Sequence, residues 1–176
     1  MIKKLFSRLG KSDRSSGLEQ EENGQKQAKK KLKYNEQLIP DLKDAHGALF
    51  DTYLEIEAAF KEDNEMWHTI KDLIQEFESS LKLHVMLENR QLYTYLEELY
   101  EDEHDTEHLE HLKALQQNMG DILKEVKFFS KKYSDWENYK RNKDVFLSDL
   151  GTVGKVLTKR VEMEEKFIYP MYMEGH

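Results

Sequence analysis

This chain encodes an all-α fold, an antiparallel up-down-up-down four-helix bundle, and three features lead there. Apolar residues return at steps of three and four through four long stretches, the period of one buried face on a helix. Only 2 of the 176 residues are proline and 8 are glycine, while 35% are charged, so helix breakers are sparse and solvent-facing surface is plentiful. The joints between stretches are short, which makes successive helices antiparallel neighbours. The length suits one domain with a substantial core plus a tail.

Residues 1–33 come first as a disordered or weakly helical mobile arm, followed by the bundle over 34–176. The stretch SRLGKSDRSSGLEQEENGQKQAKKK is polar and lacks a sustained apolar period, so it cannot bury enough surface to fold alone. Its beginning places Ile2, Leu5, Phe6 and Leu9 opposite Lys3, Lys4, Arg8 and Lys11. That pattern suits a membrane surface or the groove of a protein partner, with a plain solubilising tail as the alternative. The start has no uninterrupted apolar core and does not read as a secretion signal. No apolar run approaches the roughly 18 residues needed to cross a bilayer.

The first helix, roughly 36–61, carries Leu42, His46, Leu49, Tyr53, Ile56 and Phe60 on its seam. Asp63 or Asn64 suits the cap of the second. That helix runs from about 65 to the high nineties with Trp67, Ile70, Ile74, Phe77, Leu81, His84, Glu88, Leu92 and Leu96 inward. After a turn near residue 102, the third presents His108, Leu112, Leu115, Met119, Ile122, Val126 and Phe129, and ends near Lys132. The fourth presents Phe146, Leu150, Val153, Leu157, Arg160, Glu164 and Phe167. Ser134 and Glu137 have capping-box spacing, yet the strong period begins only near Val145. Pro170 predicts an end around Tyr169, because the residue before a proline is pushed away from helical geometry. Trp67, Phe77, Phe129, Phe146 and Phe167 are expected in the core, and Tyr93 and Tyr169, at matching points of the repeat, as packing residues, with a hydroxyl bonded to a carboxylate as the alternative.

A balance of 27 basic against 35 acidic residues argues against nucleic acid as a partner, which needs a dominant basic face. With no cysteine there is neither a disulfide nor a thiolate metal site, which fits a cytoplasmic location. Any metal must then sit on His nitrogens and carboxylate oxygens. The chain has no nucleophile beside a base, no phosphate-cradling glycine loop and no dinucleotide fingerprint, so it does not read as an enzyme.

Six residues interrupt the apolar seams: His46, His84, Glu88, His108, Arg160 and Glu164. Burying a lone charge costs several kcal/mol, so such groups persist only when paired, hydrogen-bonded or bound to metal. His84 and Glu88 lie one turn apart on one face, half of a bundle-core metal site whose other half comes from a facing helix. Counted from the turn near residue 63, His46 lies 17 positions back and His84 lies 21 forward. The mismatch is about 6 Å along the axis, so the two can meet. For either histidine alone, a core side chain bonded to a carbonyl is the plain alternative. A repeat adds to the case. HVMLENRQLYT (84–94) and RVEMEEKFIYP (160–170) agree at Val85/Val161, Glu88/Glu164 and Tyr93/Tyr169, with Arg160 standing where His84 stood. The same shift of 76 carries His46 onto Ile122.

The helix-1 histidine in LIPDLKDAHGALF, the H-x-x-x-E of HVMLENRQLY and the EEKFIYP near the end of helix 4 resemble the hemerythrin-like (HHE cation-binding) family over about residues 36–172. The resemblance implies a four-helix bundle around non-haem iron, typically two ions bridged by carboxylates. It also implies roles in carrying or sensing O2, handling iron, or responding to redox and nitrosative stress. Carried over residue by residue, it gives His46, His84, Glu88 and Glu164 as metal ligands. Two departures follow. Arg160 occupies the helix-4 position where the family usually has a histidine, and an arginine is always charged and cannot ligate a metal. In helix 3, His104 and His108 have the family's spacing, but the turn near 102 sets the facing level at about residues 114–120, near Asn118 and Met119. His108 is therefore kept as a subsidiary ligand candidate in an acidic stretch, EDEHDTEHLEH, that otherwise reads as a solvated helix start.

Two functions stand side by side. One is a metal-binding protein for sensing, storage or stress response, holding one non-haem iron rather than two, with Mn or Zn also compatible with the donors and O2 or NO as small ligands. The other is an empty, metal-free interaction or regulatory bundle in which Arg160 pairs with Glu88 or Glu164 and replaces the metal charge.

Overall fold

The computed structural model describes residues 31–174. The arm expected over 1–33 lies outside the described residues except for its last three positions, and its amphipathic beginning lies wholly outside them. The elements are α1 (Leu38–Glu62), α2 (Trp67–Leu87), α3 (Thr94–Asp102), α4 (Thr106–Ser134), α5 (Trp136–Asn142), α6 (Phe146–Met163) and α7 (Tyr169–Glu174). A π-helical stretch, Glu88–Tyr93, joins α2 to α3 in one rod, and another, Glu164–Ile168, joins α6 to α7. A 3-10 turn, Lys143–Val145, links α5 to α6. With no strand among the described residues, four rods form the bundle: α1, α2–α3, α4 and α6–α7. Each packs on the next, and α6 closes against α1.

The joints show where local chemistry differs from the expected caps. Asp63 accepts a bond from the backbone N–H of Glu65 (2.9 Å) inside the turn, and α2 starts only at Trp67 without a side-chain cap. Asp105, following a left-handed His104 (φ 56°), caps α4 by accepting from the N–H of His108 at 3.0 Å. At the next joint the cap is Asp135, which accepts from Asn138 N–H at 2.8 Å, rather than Ser134. The delayed onset of periodicity near Val145 corresponds to the separate short helix α5 before α6.

The π-helical stretches overturn two expectations for the last rod. The chain stays helical through Pro170, which follows directly on the π-helical stretch and forgoes only its own N–H bond. Phe167 is 58% exposed while Ile168 is fully buried, since the wider π turn shifts the inward register by one residue.

The interior divides into two apolar clusters. One, from Leu49 through Ile74, Leu81 and Met119 to Val153, ends in an aromatic group where Phe60 stacks on Phe146 (4.3 Å). The other gathers Leu38, Leu42, Leu92, Leu96, Leu112, Ile168 and Tyr172 at the opposite end. On α1, the α2–α3 rod and the α6–α7 rod, buried polar side chains lie between the two in sequence: His46, then His84 and Glu88, then Arg160 and Glu164.

Candidate metal centre

Each polar side chain reaches the interior for a local reason. His46 occupies the α1 seam position between Leu42 and Leu49. His84 and Glu88 stand one turn apart at the end of α2, as Arg160 and Glu164 do at the end of α6. Their exposures are 4% for His46, 3% for His84 and 1% each for Glu88 and Glu164. Residues lost to bulk solvent to this degree need partners.

The structure brings His46, His84, Glu88 and Glu164 together. His46 Nε2 lies 3.1 Å from His84 Nε2 and 3.2 Å from Glu164 Oε2, and these three residues form a group able to hold a metal ion. Glu88 Oε2 is 3.8 Å from His84 Nε2. On its other side, His46 Nδ1 faces Glu165 Oε1 at 3.2 Å. With Nδ1–H donating to that carboxylate, the Nε2 lone pair is aimed inward, the arrangement usual for a metal-bound histidine.

The inward atoms are then mostly acceptors. The Tyr169 hydroxyl, 3.3 Å from His46 Nε2 and 3.4 Å from Glu88 Oε1, carries a single proton to share between them. His84 Nδ1 and Glu88 Oε2 have no hydrogen-bond partner. One imidazole proton bridges only one of these gaps, whereas one divalent cation satisfies the facing lone pairs together. The two His46 spacings agree: two atoms each about 2.1 Å from one ion stand roughly 3.0 to 3.4 Å apart for octahedral to tetrahedral angles.

Burial, then His46, lowers the pKa of His84 to about 4, so near neutral pH it is an uncharged imidazole. Burial, reinforced by Glu164, pushes the Glu88 carboxyl well above the ordinary range. Burial also opposes ionisation of Glu164, but the neighbouring His46 and the Arg160 charge outweigh it and hold its pKa low. A buried pair with one carboxylate charged and the other disfavoured is what an added cation relieves.

Arg160 fills the neighbouring space. Its Nε–H donates to Glu164 Oε1, one terminal nitrogen donates to the Leu115 carbonyl (3.0 Å), and the other donates to the Tyr93 hydroxyl. The helix-3 level is thus set by Leu115 and Met119; Met119 lines the same cavity as His46, His84, Arg160 and Glu164. That agrees with counting along the axis and not with the shift of 76, which named Ile122. His108 stands apart from this group. Its Nδ1 is 2.6 Å from Asp105 Oδ2, its ring stacks on Tyr100 at 4.8 Å, and its side chain is 44% exposed at the start of α4.

Glu165, Tyr93 and Tyr169 belong to the centre as well, and the bond from Tyr169 to Glu88 is the alternative to plain packing that the repeat offered. The tyrosines did carry a signal, their identical place in the repeat. Glu165 offered only its adjacency to Glu164, and the Leu115 carbonyl offered none.

A family model described as the hemerythrin HHE cation-binding domain matches residues 37–172. No curated protein and no solved structure gives a match.

Proposed function

The chain belongs to the hemerythrin HHE cation-binding family, and we propose that it binds a single non-haem iron ion for sensing, storage or stress response, without catalytic turnover. The observation carrying this reading is the convergence of buried acceptor atoms on His46, His84 and Glu164, with an orphaned Glu88 oxygen beside them. His46, His84 and Glu164 would hold the ion, and Glu88 would complete the set. Nitrogen and oxygen donors of this kind suit iron(II), and also manganese(II) or zinc. Bound iron supplies a centre able to change oxidation state.

The protein's own groups do the rest. Glu165 orients the His46 ring, and Tyr169 ties that ring to Glu88. A cavity of about 30 Å³ adjoins the site, walled by Leu49, Phe77, Leu81 and Leu157. That is room for one water or a diatomic molecule, which favours O2 or NO as the small ligand. Among the described residues no helix is long and apolar enough to cross a membrane, and the lack of cysteine fits the cytoplasm.

One observation favours a second reading. Arg160 already neutralises Glu164 and bonds Tyr93 and Leu115, so half of the layer is satisfied without an ion, as a metal-free interaction or regulatory module requires. Anaerobic loading with iron(II), followed by metal analysis and an absorption spectrum, separates the two. The expected result is about one ion per chain, lost in His84→Ala. A native chain that stays metal-free would leave the second reading standing and overturn the first.

A further inference from the structure

We propose that Arg160 is a resident cation: its guanidinium occupies the half of the polar layer that mirrors the His84 half, and so limits the centre to one metal ion. This rests on the metal-binding reading above and concerns how many ions that site accepts.

The mirror relation is visible in backbone and side chains alike. His84 and Glu88 close α2 just as Arg160 and Glu164 close α6, and a π-helical stretch begins at the glutamate in both rods. Each glutamate is followed five residues later by a buried tyrosine, and the tyrosines pair crosswise. Tyr169 bonds Glu88, whereas Tyr93 bonds Arg160. The two halves therefore share a frame and differ in occupant.

In the Arg160 half the oxygens that face the guanidinium are already taken. Glu164 divides its carboxylate, Oε2 toward His46 and Oε1 toward Arg160. Tyr93 and the Leu115 carbonyl take the two terminal nitrogens. Met119, at the helix-3 level, brings a thioether, a poor partner for a hard dication. Arg160 is 2% exposed, so the charge cannot swing out to water without unpacking the bundle. A guanidinium remains protonated at any physiological pH. A fixed positive charge thus stands where a second ion would bind, and it neutralises the same carboxylate that such an ion would use.

The test loads the full chain anaerobically with iron(II) and counts ions by mass spectrometry, with circular dichroism confirming the fold. Native protein should hold about one ion, and Met119→His/Arg160→His, which supplies nitrogen donors and removes the charge, about two. Arg160→Gln keeps a hydrogen-bonding head and removes only the charge, so it should hold about one ion at least roughly tenfold more tightly. A native chain holding about two ions would overturn the proposal and the single-ion count while leaving metal binding itself intact; a native chain holding none would overturn both. A folded double variant that stays at about one, together with unchanged affinity in Arg160→Gln, would also refute it. If neither variant folds, the guanidinium serves stability in place of counting ions, which is equally a refutation.

Discussion

At the scale of single residues, His84 shows how burial converts a titratable group into a fixed neutral one. The unfolded chain takes up its proton near pH 6.5, whereas in the bundle burial and the facing His46 delay that uptake to about pH 4. Between those values the unfolded state binds more protons, so stability rises with pH. The contribution is fully present above pH 6.5 and is lost as the pH falls through the folded value, on the order of 3 kcal/mol in all. Glu88 acts in the opposite sense: its raised pKa contributes stability at low pH that disappears as the pH climbs through the folded value. Urea melts of the metal-free protein from pH 7 to 4.5 should therefore show a steeper acid loss in the native chain than in His84→Leu. Equal slopes would mean that His84 is not held neutral.

At the scale of elements, the change of helical pitch decides which residues meet. In an α-helix a residue five positions on is rotated about 140° from the first, so Tyr93 should leave the face of Glu88. The π-helical stretch restores the alignment, and the same holds for Glu164 and Tyr169. This marks the limit of what the sequence displays. A polar residue on an apolar seam stands out, so His46, His84, Glu88, Arg160 and Glu164 were all legible, as were the four rods. A single wider turn leaves the seam apolar on both sides, so Phe167 pointing outward and Ile168 taking its place were not. His108 drew attention by spacing alone, and its part in closing the start of α4 depends on Asp105, a residue off the seam. Two glycines of α6 show the same dependence on surroundings. A methyl group at Gly151 meets nothing within 4 Å, so Gly151→Ala should raise stability by about 0.5–1 kcal/mol. At Gly154 the added carbon would come within 2.7 Å of the Tyr53 hydroxyl oxygen. Gly154→Ala should accordingly gain less, because Tyr53 must shift, and thermal melts of the two variants side by side would show it. An equal gain at both sites would mean that Tyr53 moves freely.

At the scale of the whole molecule, the two apolar clusters are separate entities held by one chain, and the rods pass from one cluster to the other through the polar layer. Packing within each cluster does little to align it with the other. The alignment falls to the layer, where Arg160 ties α6 to α4 and to the α2–α3 rod, while Tyr169 and Glu165 tie the last rod to His46 on α1. The His46–His84 contact, which at most one imidazole proton can bridge, leaves His84 Nδ1 or the facing nitrogens short of a partner. An ion there would connect α1, α2 and the α6–α7 rod through three side chains, so its binding energy acts on the assembly of the bundle and not only on one helix. A ligand bound only by the folded state at about 100 times its dissociation constant adds roughly 2.7 kcal/mol. In a chain of this size that corresponds to a rise of about 5–10 °C in Tm. Iron(II)-loaded native protein should melt that much above its metal-free form as one cooperative transition, and His84→Ala should show no rise. A shift confined to the signal of one cluster, seen as two separated transitions, would instead mean that the ion does not join them.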